Sequence, residues 1–146
     1  MFRYLVTIFL MSASIQSYAC SCPAFDLRQA VTDSDFVFFA QMTSAKVIPT
    51  TKDYWGHVEG TVKIEKILKG KFDTKTMHVA TGLGGGDCGI PFSVPATYVI
   101  FLRKGSNFIG SCSGSKPLNQ FSEFYYAEDL SREIETILGN KPKQSK

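Results

Sequence analysis

The sequence predicts a mainly β domain: a five-stranded barrel with a short N-terminal helix and a C-terminal helix. Three observations lead there. Five short stretches rich in β-branched and aromatic residues follow one another between residues 36 and 111, each bounded by turn residues. Near the end of the chain, Leu130, Ile134, Ile137 and Leu138 recur at helical spacing. Five strands left as an open sheet would expose two edges, and closure into a barrel removes them.

The first element is a leader. Arg3 supplies a positive charge, Tyr4 to Met11 is an almost unbroken apolar run, and Ser17 and Ala19 are small. That is the order of a secretion signal, expected to be cut before Cys20. The run is shorter than the roughly 20 apolar residues a bilayer span needs, which argues against an uncut anchor. A lipid on Cys20 is the other processing route, and Ser17-Tyr18-Ala19 suits it poorly. The expected location is therefore secreted or periplasmic. Residues 20–139 form the domain, and 140–146, with Lys141, Lys143 and Lys146, a basic polar tail.

Within the domain, Asp26 can cap a helix running to Asp33, with Leu27, Ala30 and Val31 on one face. Strands are expected at Phe36–Val47, Val58–Leu68, Thr76–Ala80, Thr97–Arg103 and Phe108–Ser111. The first is apolar with only imperfect alternation, as a strand covered on both faces should be. The second alternates clearly, with Val58, Gly60, Val62 and Ile64 on one side. Pro49 to Gly56 is a loop expected to expose Tyr54 and Trp55. Glu123, Glu128 and Asp129 favour the start of the last helix electrostatically, and Gly139 stands where a helix-ending glycine belongs.

Composition excludes several functions. Sixteen Lys and Arg stand against thirteen Asp and Glu, and only Arg3 leaves with the leader. So small a surplus gives no case for nucleic acid. The loop Gly82 to Gly89 lacks the Gly-Lys-Ser/Thr ending of a phosphate loop. His57 and His78, the two histidines, border or occupy strands and have no nucleophile or acid set around them. Ser111, Ser113 and Ser115 have no nucleophile-elbow context. The expectation is a protein that is not an enzyme, needs no cofactor and has no membrane span after processing.

Cysteines carry the positive signal. Cys20, Cys22, Cys88 and Cys112 form an even set in a secreted chain, which favours two disulfides over a thiolate metal site. Cys20 and Cys22 are poorly placed to bond each other, so each is expected to reach one of the distant pair. Closing such loops stabilises by roughly 4 kcal/mol each in the chain-entropy treatment. Both bonds would hold an N-terminus that ordinarily frays. After the cut, Cys20 would present an α-amine beside its own carbonyl, a pair able to chelate a metal.

Cys20-Ser21-Cys22 after a leader, Pro23, Gln29-Ala30 ahead of Asp33-Ser34-Asp35-Phe36-Val37, and the distant Cys88 and Cys112 resemble the N-terminal domain of the tissue inhibitors of metalloproteinases. The resemblance implies an OB-fold, the five-stranded barrel of that family, and the pairing Cys20–Cys88 and Cys22–Cys112. It implies that Cys20, Ser21, Cys22 and Pro23 form an inhibitory ridge. The amine and carbonyl of Cys20 would chelate the zinc of a partner metalloendopeptidase, and Ser21 would enter its specificity pocket. Gly86 and Asp87 would lie beside the ridge, with Tyr54 and Trp55 as peripheral contacts. Two departures stand out. Thr32 occupies roughly the place of a third-disulfide cysteine, and Pro23 comes one position early. The alternative is a non-inhibitory extracytoplasmic binding or envelope protein on the same stapled barrel.

Overall fold

The structure, a computed structural model, describes residues 20–52, 54–120 and 127–139. The expected leader, Glu123 and the basic tail lie outside the described residues. Helix α1 spans Leu27–Asp33. Asp26 caps it, its carboxylate accepting from Gln29 N at 2.9 Å. At the other end Lys69 Nζ donates to the orphan carbonyls of Val31 and Thr32, at 2.7 and 3.2 Å.

Five strands follow: β1 Phe36–Ile48, β2 His57–Lys69, β3 Thr76–Thr81, β4 Thr97–Leu102 and β5 Lys116–Pro117. They form one antiparallel sheet in the order β3-β2-β1-β4-β5. Helix α2, Ala127–Ile137, completes the described elements, with Gly139 just beyond it at φ 72°.

The apolar run of β1 has the cause expected of it. Phe38, Ala40 and Met42 enter one core with Val62, Val79, Tyr98, Ile100 and Ile109. Val37 and Phe39 face the opposite way, into a second core with Val99, Phe101, Leu130 and Ile134. The second core lies under the two helices, and burying Leu130 and Ile134 there contributes about 1.5–3 kcal/mol each. Register shifts at three points of the β1–β2 ladder bend the sheet around the first core.

The fifth strand falls elsewhere than the pattern suggests. Phe108–Ser111 forms no ladder, because its residues are divided between two partners. Phe108 makes a parallel bridge with Ala80 of β3, and Gly110 an antiparallel bridge with Gly89. Ala80 N donates to Asn107 O and Ile109 N donates to Ala80 O, both at 2.8 Å. The chain then tightens into a 3-10 turn, Ser111–Ser113, and pairs with β4 only at Lys116–Pro117. The sheet is open, with β3 and β5 at its edges.

Candidate functional site

Both disulfides leave from the N-terminal segment. Cys20 is bonded to Cys88 and Cys22 to Cys112, which leaves no free cysteine. The two receiving segments are themselves joined: Ser111 N donates to Cys88 O at 2.8 Å, beside the Gly89–Gly110 bridge. Residues 20–23 therefore lie across one hydrogen-bonded platform. Along them the half-buried cysteines alternate with exposed Ser21 and Pro23, the period-two pattern of an extended segment pinned on one side. Ser111 Oγ lies 3.7 Å from Cys22 Sγ. The Cys20–Cys88 bond and a thioether lipid on the same sulfur exclude each other.

Phe25 ends the pinned stretch. Its ring meets Phe101 edge-on at 6.4 Å between centroids, and Lys116 Nζ sits 4.9 Å from its centre.

The loop leading to Cys88 is organised around Asp87. Its carboxylate accepts from Leu83 N, from Gly84 N at 2.8 Å and from Gly89 N at 3.1 Å. Desolvation opposes the charge, but the Leu83, Gly89 and Gly84 amides outweigh it and hold Asp87 below its ordinary pKa. Cys88 follows in the left-handed region at φ 58°. Asp87 thus turns its oxygens toward its own loop, and Gly86 is exposed on the same turn.

A lowered carboxylate pKa stabilises the folded state above the unfolded value, near 3.9, and that contribution is lost as pH falls through the folded value. Asp87→Ala is therefore expected to lower the melting temperature at neutral pH, with the gap to the parent narrowing as the pH falls through the lowered folded value. In parallel, the Gly84 and Gly89 amide resonances of the parent should titrate below about pH 3.9, and those of the variant should not.

Tyr54 and Trp55 are exposed, Trp55 at 88%. Trp55, Leu83 and Phe108 line an apolar groove of about 430 Å³, which Asp87 and His57 also border. His57 reaches Glu59 at 3.4 Å, and exposed His78 lies 3.3 Å from Thr61 Oγ1. Among the described residues no group of three or more His, Cys, Asp or Glu could hold a metal, and no helix is long and apolar enough to cross a membrane. Two disulfides fit an oxidising, extracytoplasmic compartment.

Leu83 and Phe108 carry no sign of their exposure in the sequence, because exposure of an apolar side chain depends on contacts between distant segments. Asp87, expected beside the ridge, accepts from its own loop amides and also borders the Trp55 groove. No protein-family model and no curated protein matches this chain.

Proposed function

We propose that this chain is a secreted inhibitor of zinc metalloendopeptidases on an OB-fold scaffold. The observation that carries the reading is the double tether: the two cysteines flanking Ser21 are both bonded to one platform. The parallel Ala80–Phe108 bridge, which links β3 to the segment after β4, supports a barrel-like closure.

In the full chain the nitrogen of Cys20 is a peptide nitrogen. Removal of residues 1–19 turns it into an α-amine with a pKa of about 7.7–8.0, so a useful fraction is neutral at physiological pH. That amine and the Cys20 carbonyl then close a five-membered chelate on the protease zinc, displacing its bound water. A free terminus would lose much of the gain in ordering itself. Here the tether has already removed that freedom, and preorganisation turns a weak ligand pair into an effective one. Ser21, exposed between the cysteines, is the side chain offered to the specificity pocket, and Pro23 stiffens the exit. Trp55 and Tyr54 are available as a peripheral contact. The scheme needs no catalytic group and no cofactor of the chain's own.

Mass spectrometry of the mature N-terminus comes first, with Cys20 expected to carry a free amine. Processed protein is then compared with a form carrying one extra N-terminal Ala, against a panel of zinc metalloendopeptidases. The extension is expected to weaken inhibition by about 100-fold or more, equivalent to about 2.8 kcal/mol. Equal potency of the two forms would overturn chelation. Inactivity of the processed protein across the panel would instead favour an extracytoplasmic binding or envelope protein, for which the Trp55–Leu83–Phe108 groove is the observation in hand.

A further inference from the structure

A second concavity, a cleft of about 380 Å³, opens between the exit of residues 20–25, helix α1 and the turn after β4. That volume lies within the roughly 300–1,000 Å³ of small-ligand sites. Cys22 contributes to one wall, while Phe25 and Phe108 add apolar surface that is 44% and 48% exposed.

Three of the polar side chains that line it are Asp33, Gln29 and Arg103; the others are Asp26, whose carboxylate is taken up in capping helix α1, and four serines. Among the described residues none of the three side chains makes a hydrogen bond or ion pair. Asp33 and Arg103 carry opposite charges in one cleft, yet stay beyond ion-pair distance of each other. Neither charge has an evident structural use. Asp33 ends helix α1, where a carboxylate meets the negative end of the helix dipole and is disfavoured. The nearby Lys69 ammonium is already engaged by Val31 O and Thr32 O.

Unlike charges separated by a gap and flanked by aromatic surface are complementary to a molecule that carries both charges and an apolar group. From this we infer that the cleft binds a small zwitterion with an apolar side chain, a free amino acid or dipeptide. Its carboxylate meets Arg103, its ammonium meets Asp33, and its side chain lies against Phe25 and Phe108. Arg suits the first role because its planar fork matches a carboxylate. Gln29 offers a further donor and acceptor. Cys22 and Pro23 of the ridge line the cleft, but the chelating Cys20 and Ser21 do not, so the inference does not depend on the inhibitory reading.

The test is an amide-resonance titration of the mature protein with L-phenylalanine, its N-acetyl derivative and its amide. Phenylalanine should give saturable shifts at residues around the cleft, including Gln29, Ser106 and Phe108. The two blocked probes, each lacking one charge, should bind about tenfold more weakly or worse. Arg103→Gln and Asp33→Asn alter exposed side chains and should fold normally, with Asp33→Asn no less stable than the parent. Each should weaken phenylalanine by a similar factor, and Arg103→Gln should abolish its advantage over the amide. Absence of saturable shifts at millimolar phenylalanine, equal binding of all three probes, or binding untouched by both substitutions would each overturn the assignment.

Discussion

Replacing Cys22 and Cys112 together by Ser is expected to lower the unfolding free energy by about 4–5 kcal/mol, the chain-entropy value for a loop of this length. The two positions are 90 residues apart, so the bond constrains most of the unfolded domain. A domain of this size has about 5–15 kcal/mol in all, which makes the loss a large share of its margin. Calorimetry of the oxidised proteins should show a fall in melting temperature of roughly 15 °C or more. The Cys20–Cys88 pair spans 68 residues and has nearly the same entropic value, since loop cost grows only with the logarithm of length. The two double variants should therefore match in stability and differ in function. If the protease reading holds, inhibition should vanish without Cys20–Cys88, because residue 20 itself is then loose. Without Cys22–Cys112 residue 20 stays tethered and weakened inhibition should persist below the melting point. A loss under about 1 kcal/mol for either pair would mean that cutting the bond frees the folded terminus nearly as much as the unfolded chain, so that the terminus owes its order to the tether.

How much of this was legible in the sequence depends on how far each signal reaches. Asp26 ahead of Leu27 and Ala30 marks a helix because the cap bonds only three residues on. The dense apolar run of β1 announced two covered faces, and the two cores supply them. Helix α2 followed from apolar spacing, the acidic residues at its start and Gly139 at its end, all local signals. The misplaced fifth strand shows the limit. Phe108 and Gly110 have strand-like neighbours, but they bridge Ala80 and Gly89 separately, a partition set by distant chain. The cleft was equally hidden. Asp33 and Arg103 share it because Asp35 N donates to Leu102 O and Lys104 N donates to Asp35 Oδ2, contacts between segments far apart in the chain. The tether was the most legible part of the candidate site, since four cysteines allow few pairings. The platform beneath it is built from backbone hydrogen bonds and marks residue identity only through the glycines, Gly89 and Gly110, that let the backbones approach.

Gly89→Ala tests that platform directly and is expected to be among the most damaging single changes in the loop. A Cβ on Gly89 would sit 2.3 Å from Gly82 O and 2.5 Å from Gly82 C. Both are backbone atoms, so no side chain can swing aside. Gly82 and Gly89 must separate, and with them goes the closure that lets Asp87 collect the Leu83, Gly84 and Gly89 amides. Overpacking of this kind costs about 1–3 kcal/mol, and the broken carboxylate bonds add to it. Gly84→Ala is the control. Its Cβ would meet nothing within 4 Å, and its cost comes only from φ 97°, a conformation L-residues avoid, at about 1–3 kcal/mol. The two variants should therefore separate by mechanism even where their stabilities are close. In Gly84→Ala the Gly89–Gly110 bridge and the Ser111 N to Cys88 O bond should survive, and amide exchange at Gly89 and Ser111 should stay protected. In Gly89→Ala both should lose protection, because the residue that joins the loop to the second cysteine segment has moved. If the protease reading holds, inhibition should follow exchange at Ser111 rather than melting temperature, since what Cys20 needs beneath it is a fixed platform and not a stable protein as such.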